Sequence, residues 1–353
     1  PFVIRVAVTF ITVLIPLFLL MLFVFGRTRR NFYRKRKLQR KLHSKYLGVV
    51  KEILISKEKY SYKDIETKLN CNVKKLTNKE KRLLTNNILN IHAKEEYLNE
   101  NNYKRVIDYF ELREFWEKRL TYGSLASRQR ALRKLDDLDV EIPGSIITSL
   151  TYNRNQYLRK RARSSYMYFS KNSPFKFLDE DFDKTFNNWD KIEIHRVFSR
   201  RIHEGLPRLT QWIKNSGNSD FRCFLVDELK YFRQTDSCPF LLEMMDTEDM
   251  ELRKHCIEAL GEMKYRPAEE KLIKDYNLQP ALVQHAIVRA VQNLNTGKAL
   301  SFLEDAYNNV HDRESEQIIL YAIYNYGNPG KELFNSMKEI SGGFSKLIFE
   351  HVS

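Results

Sequence analysis

The chain has 353 residues with 60 Lys and Arg against 45 Asp and Glu, a formal charge of +15, and only 12 Gly and 9 Pro. So few turn formers exclude an all-β sandwich or a Gly-looped nucleotide fold, and the abundance of Leu, Lys, Glu, Arg and Asn points to an all-α protein. The charge is unevenly placed: residues 27–60 carry about +11, whereas residues 236–353 carry about −7.

From the N-terminus, Val6 to Phe25 is an uncharged apolar run containing Thr9, Thr12 and Pro16. At 1.5 Å per helical residue it predicts a single transmembrane helix within residues 1–26. Directly after it come Arg27, Arg29, Arg30, Arg34, Lys35, Arg36, Lys37, Arg40 and Lys41, the opposite order to a signal peptide. Under the positive-inside rule this membrane-proximal basic belt keeps residues 27–353 cytoplasmic and the N-terminus outside, with anionic headgroups available to residues 27–41. The expected location is therefore an inner membrane, crossed once. Phe32, Tyr33, Leu38 and Leu42 give the basic segment, 27–60, an interrupted apolar stripe.

Residues 42–122 are helical in pattern, and 61–123 reads as a helical cap of the solenoid: VVKEILI (49–55), LTNKEKRLLTNNILNI and YKRVIDYFELREFWEKRL have apolar residues at helical spacing, Ser61-Tyr62-Lys63-Asp64 is a helix start, and Asn99 to Asn102 a polar turn. From residue 124 to 353 a period near 31 residues takes over. Leu135, Tyr166, Phe198, Leu229, Leu260, Val291 and Ile323 head it, with Ala131, Ala162, Ile194, Leu225, Cys256, Ile287 and Ile319 four positions earlier. Three positions later lie Leu138, Phe169, Arg201, Phe232, Met263, Leu294 and Tyr326, so that Arg201 alone breaks three columns on one helix face. Such a period fits two short helices and two turns, and one such pair buries its apolar faces only by stacking on neighbours. Partner helices fall around Leu272, Leu303 and Leu333, and Ser170 to Trp189 is a longer insertion.

The run Leu252-Arg253-Lys254-His255-Cys256-Ile257-Glu258-Ala259-Leu260-Gly261 resembles the bacterial HEAT-like repeat of the phycobilisome-lyase type. A basic residue seven positions before the anchor recurs at Arg128, Arg159, Lys191, Arg222 and Arg253, but Gln284 and Glu316 depart from it. The resemblance covers about two thirds of the chain. It implies an α-solenoid of about seven helix pairs that works as a binding scaffold and not as an enzyme.

Chemistry-bearing motifs are sparse. There is no phosphate-binding glycine loop, no G-x-S-x-G elbow and no His-Glu-x-x-His, and His203-Glu204 is followed by Gly-Leu-Pro. HEAT-like metal hydroxylases use several His-Glu pairs, and this chain has one. No catalytic residue, metal or cofactor is expected, and Cys71, Cys223, Cys238 and Cys256 lack zinc or disulfide spacing. What remains is basic. Arg159, Lys160 and Arg163, with Arg196 and Arg200 one repeat on, are candidates for a partner-binding face among Tyr152, Tyr157, Tyr166 and Tyr168. The expected function is a membrane-anchored scaffold that binds or regulates a protein partner, and the family resemblance implies an envelope enzyme such as a polysaccharide-synthesising glycosyltransferase as that partner. Nucleic-acid binding, as in HEAT-like DNA glycosylases, and a metal-dependent HEAT-like enzyme are the alternatives.

Overall fold

The computed structural model describes residues 2–352, the side chains of 2–11, 13 and 343–345 excepted. Among the described residues there is no strand. The first compact unit, residues 1–162, holds α1 (Phe2–Leu42), α2 (Gly48–Ile55), α3 (Tyr62–Leu69), α4 (Asn78–His92), α5 (Glu100–Tyr109), α6 (Leu112–Tyr122), α7 (Leu125–Asp137), α8 (Gly144–Leu150) and the first half of α9 (Gln156–Phe169). The second, residues 163–353, continues with α10 (Asn188–Arg201), α11 (Thr210–Asn215), α12 (Ser219–Tyr231), α13 (Cys238–Met244), α14 (Met250–Glu262) and α15 (Glu269–Asp275). It ends with α16 (Ala281–Leu294), α17 (Leu300–Asn308), α18 (Arg313–Tyr324), α19 (Asn328–Ile340) and α20 (Gly343–Val352).

Helix α1 corrects the membrane assignment. Among the described residues no helix is long and apolar enough to cross a membrane. The apolar stretch whose side chains are described runs from Leu14 to Phe25, about 18 Å of helix against the ~30 Å of a hydrocarbon core. Residues 6–11 and 13 of the expected span lie outside the described side chains, and from Arg27 onward the same helix is densely charged. The single-pass inner-membrane placement, and the topology drawn from the positive-inside rule, fall with that finding.

In the first unit, Ser61 caps α3 in a reciprocal box with Asp64, and Thr77 does the same for α4 with Glu80. The Asn99–Asn102 segment is more than a polar turn. Asn99 caps α5, and Asn102 is fully buried inside that helix, where its amide donates to Ile53 O at 2.9 Å and Glu58 O at 2.8 Å and accepts from Tyr60 N–H at 3.0 Å. The stretch 103–120 divides into α5 and α6 at Glu111, whose φ of 50° breaks the helix and whose carboxylate meets Lys81 Nζ at 2.8 Å.

The three periodic columns land on α7, α9, α10, α12, α14, α16 and α18 or their caps, and the first two columns are buried throughout apart from half-buried Tyr166. In the second unit α12, α14, α16 and α18 stack in series, each with a shorter partner before it. Gly261 explains part of the Ala-Leu-Gly signature. A Cβ there would stand 2.5 Å from Ala290 Cα, so α14 and α16 approach closer than any side chain allows. The exception in the third column also has a reason: Arg201 is buried, and its guanidinium donates to the carbonyls of Met167 (3.0 Å), Tyr168 (2.7 Å) and Ser170 (3.0 Å), the leftover acceptors at the end of α9.

Two stability measurements follow. Gly261→Ala is expected to cost about 1–3 kcal/mol by urea unfolding, whereas Gly48→Ala, at a helical and open position, is expected to add roughly 0.4–1 kcal/mol. Arg201→Met preserves length and loses the three carbonyl bonds, at roughly 2–4 kcal/mol; an unchanged midpoint would show that the bonds hold nothing.

Candidate functional site

The basic positions divide by what they touch. Arg128 donates to Gly123 O and Thr121 O, Arg159 to Asn153 O at 2.8 Å, Arg222 to Ile213 O at 2.9 Å and Arg253 to Thr247 O at 3.1 Å. Four of the five basic residues seven before an anchor are therefore fasteners for carbonyls at the end of the preceding helix or turn, Arg159 among them, whereas Lys191 lies over the Phe186 ring. Arg163 is buried: it donates to Phe182 O at 2.8 Å, pairs with Glu180 at 2.9 Å and lies 4.7 Å from the Phe177 ring centre. It pins the Ser170–Trp189 insertion, where Phe177, Leu178 and Phe182 are core residues. Lys160 is half-buried; it and Arg159 belong to the first unit, and Arg163, Arg196 and Arg200 to the second.

Arg196 and Arg200 stand on α10. Arg196 pairs with Glu193 at 2.8 Å and reaches Ser164 Oγ at 3.5 Å, and exposed Arg200 covers the Tyr168 ring at 4.8 Å. Sequence reasoning passed over their neighbours. Trp189 is 76% exposed and Ile192 55%, and with Arg196 and Arg200 they follow the i, i+3, i+7, i+11 spacing of a single helix face. Tyr231 of α12, 64% exposed, joins them through His195, whose ring it meets edge-on at 4.7 Å. The available signal was the stripe beside the buried columns: an aromatic there has no core to enter.

Polar bonds tie these helices together. His195 Nδ1 lies 3.0 Å from both Glu228 oxygens, His255 Nδ1 lies 3.0 Å from Asp227 Oδ1, and His285 Nε2 lies 2.7 Å from Ser315 Oγ. Helix α12 thus joins α10 through one carboxylate and α14 through the next. Their protonation diverges. Burial pushes Glu228 up to about 7, with His195 pulling the other way and Asp227 adding to the rise. Burial also opposes ionisation of Asp227, yet the bonds from His255 and Lys230 hold it below its ordinary value.

Ser199 Oγ stands 3.4 Å from His195 Nε2, which completes a Ser-His-Glu line. Ser199 lies inside α10, where successive amides serve the helix ladder, so the preorganised pair of N–H groups that acyl transfer needs is not formed around it. Three of the four thiols, Cys223, Cys238 and Cys256, are buried, and burial pushes Cys256 up to about 12. Among the described residues no group of three or more His, Cys, Asp or Glu could hold a metal ion.

On the α1 belt, Arg27, Arg29, Arg30, Arg36, Lys37 and Arg40 are exposed; Arg29 and Arg36 lie over the rings of Tyr33 and Phe32. Lys41 stands 4.0 Å from Glu80, and Arg34 and Lys35 line a cavity in the first unit.

Residues 206–274 match the family model described as HEAT repeats. No curated protein matches the sequence. A crystal structure of an engineered protein is similar at 13% identity and a TM-score of 0.33, over 80% of this chain and 89% of that one; a likeness of that size carries no argument. Segment 206–274 runs from α11 through α14 and all but the last residue of α15, so the match falls on the helix pairs that carry the Arg222 and Arg253 fasteners.

A pH series checks the buried carboxylate. The folded state raises Glu228 above its unfolded value, so its contribution is full below about pH 4.3 and is lost as pH climbs through about 7. Relative to Glu228→Gln, the wild type is expected to lose roughly 2–3 kcal/mol of unfolding free energy between pH 4 and pH 8. Parallel curves would contradict the burial effect.

Proposed function

We propose that the second unit is a HEAT-type helical scaffold that binds a partner protein on the exposed face of α10, with Tyr231 of α12 beside it. The observation that carries this is the solvent-facing Trp189, aligned with Ile192, Arg196 and Arg200. Trp, Tyr and Arg are the residues over-represented at interface hot spots because they combine large apolar area with directed polar contacts. The backing of this face is rigid. His195, Glu228, Asp227 and His255 lock α10, α12 and α14 together, so binding would not have to order the surface first.

The cations at this face favour a partner segment with acidic residues around an apolar anchor. A polysaccharide-synthesising glycosyltransferase is the finer identity offered by the family resemblance, and it rests on that resemblance alone. The nucleic-acid reading loses Arg163 and Arg201, which are buried in structural bonds.

Affinity capture with the full chain tests the proposal. Trp189→Ala with Arg200→Glu is expected to lower recovery of a specific partner at least tenfold, while Leu278→Ala, an exposed residue elsewhere in the second unit, leaves it unchanged. Equal recovery with all three proteins would refute the assignment.

A further inference from the structure

The first unit contains a cavity of about 810 Å³ lined from four helices and the residue that caps one of them. Helix α1 contributes Asn31, Arg34, Lys35 and Leu38; α4 contributes Lys79, Arg82, Leu83 and Asn86, with Thr77 at its cap; α6 contributes Trp116; α7 contributes Arg130 and Lys134. Six of these side chains are cationic and none is acidic. Arg34, Lys35, Lys79 and Arg130 are solvent-exposed and Arg82 and Lys134 half-buried, so water screens part of their repulsion while their summed positive field still draws an anion to the space.

The few carboxylates nearby are committed elsewhere. Glu80 Oε2 accepts from Thr77 N–H and Thr77 Oγ1, both at 2.8 Å, and Glu111 pairs with Lys81. Lys134 reaches Asp137 only at 3.4 Å. Arg82 is half-buried, and its Nε is one of the few buried side-chain donors among the described residues with no hydrogen-bond partner. Its field is felt one helix away, where burial and then the Arg82 charge hold Arg119 below the ordinary arginine value.

Thr77, Asn31 and Asn86 add neutral polar groups, and Leu38, Leu83 and Trp116 an apolar wall. The Trp116 indole N–H is given to Thr85 Oγ1 at 2.9 Å, and its almost wholly buried ring lines the space. The space is within the size range of small-ligand sites. Arginine forks and lysine ammonium groups in this number match an anion with many acceptor oxygens and more than one charge.

We propose that this cavity is a binding site for a ligand bearing two or more phosphate groups, held by Arg34, Lys35, Lys79, Arg82, Arg130 and Lys134. The same chemistry is offered by a soluble polyphosphate and by a phospholipid headgroup, and the site is separate from the α10 face.

The full chain is titrated calorimetrically with tripolyphosphate and, in a second arm, sedimented with vesicles of phosphatidylcholine alone or of phosphatidylcholine with cardiolipin, whose headgroup bears two phosphates. Three proteins are compared: wild type, Arg82→Gln with Arg130→Gln, and Arg27→Gln with Arg36→Gln, which removes the same charge from α1 outside the cavity. Saturable binding near one equivalent, weakened at least tenfold by the cavity pair and less than twofold by the α1 pair, is the expected result. The arm that shows this pattern identifies the source of the phosphate. Folding is monitored through the melting temperature: without ligand, Arg82→Gln is expected to melt no lower than wild type, since it removes an unsatisfied donor, and tripolyphosphate is expected to raise only the proteins with an intact cavity. No binding in either arm, or binding weakened equally by both pairs of substitutions, would overturn the proposal.

Discussion

Short helices end often, and each end leaves carbonyl oxygens with no amide to bond. That constraint shapes this molecule more than any other, because a chain built from helices of 6 to 14 residues after α1 and α4 meets it every dozen residues or so. Arginine answers it. Arg128, Arg159, Arg222 and Arg253 fasten the preceding turn from the same repeat position, and Arg201 closes α9 from the third column. A guanidinium suits the task, since its fork serves two or three acceptors at once and its charge complements the helix dipole.

The consequence reaches the meaning of the net charge. A chain of +15 invites a polyanionic partner, yet several of its arginines are spent on the backbone and cannot meet one. Apart from the exposed belt on α1, two groups of cations not so employed stand in different settings. On α10 they border an exposed tryptophan, which is a protein-like surface; in the first unit they surround a cavity, which is a small-anion environment. Counting charges would have merged the two, whereas their immediate neighbours separate them.

Between the helices of the second unit, histidines replace part of the apolar contact. His195, His255 and His285 each sit at a helix interface and join side chains that a purely apolar stack would leave free to slide. At the α14 to α16 interface the device is different: Gly261 lets the backbones close directly. Adjacent Asp227 and Glu228 show how finely environment acts, for burial opposes both charges and only Asp227 has enough cationic company to be held below its ordinary value.

The sequence by itself determined the repeat. Apolar residues at i, i+4 and i+7 recur near every 31 positions because helix periodicity and stacking demand it, and burial of Leu229, Leu260, Val291 and Ile323 follows directly. It also signalled its own exceptions, in Arg201 and in the longer Ser170–Trp189 segment, without giving their cause. It misjudged α1, where an apolar run beside a basic belt read as a membrane span, and it ran α5 and α6 together across Glu111. Only the tertiary structure decided which arginines face carbonyls and which face solvent, that Arg163 is interior while Arg200 is not, and that Arg82 and Arg130 share one cavity. The physical reason is that a hydrophobic period survives in a linear pattern, whereas the partner of a charged side chain is chosen by residues far along the chain that folding brings within about 3 Å.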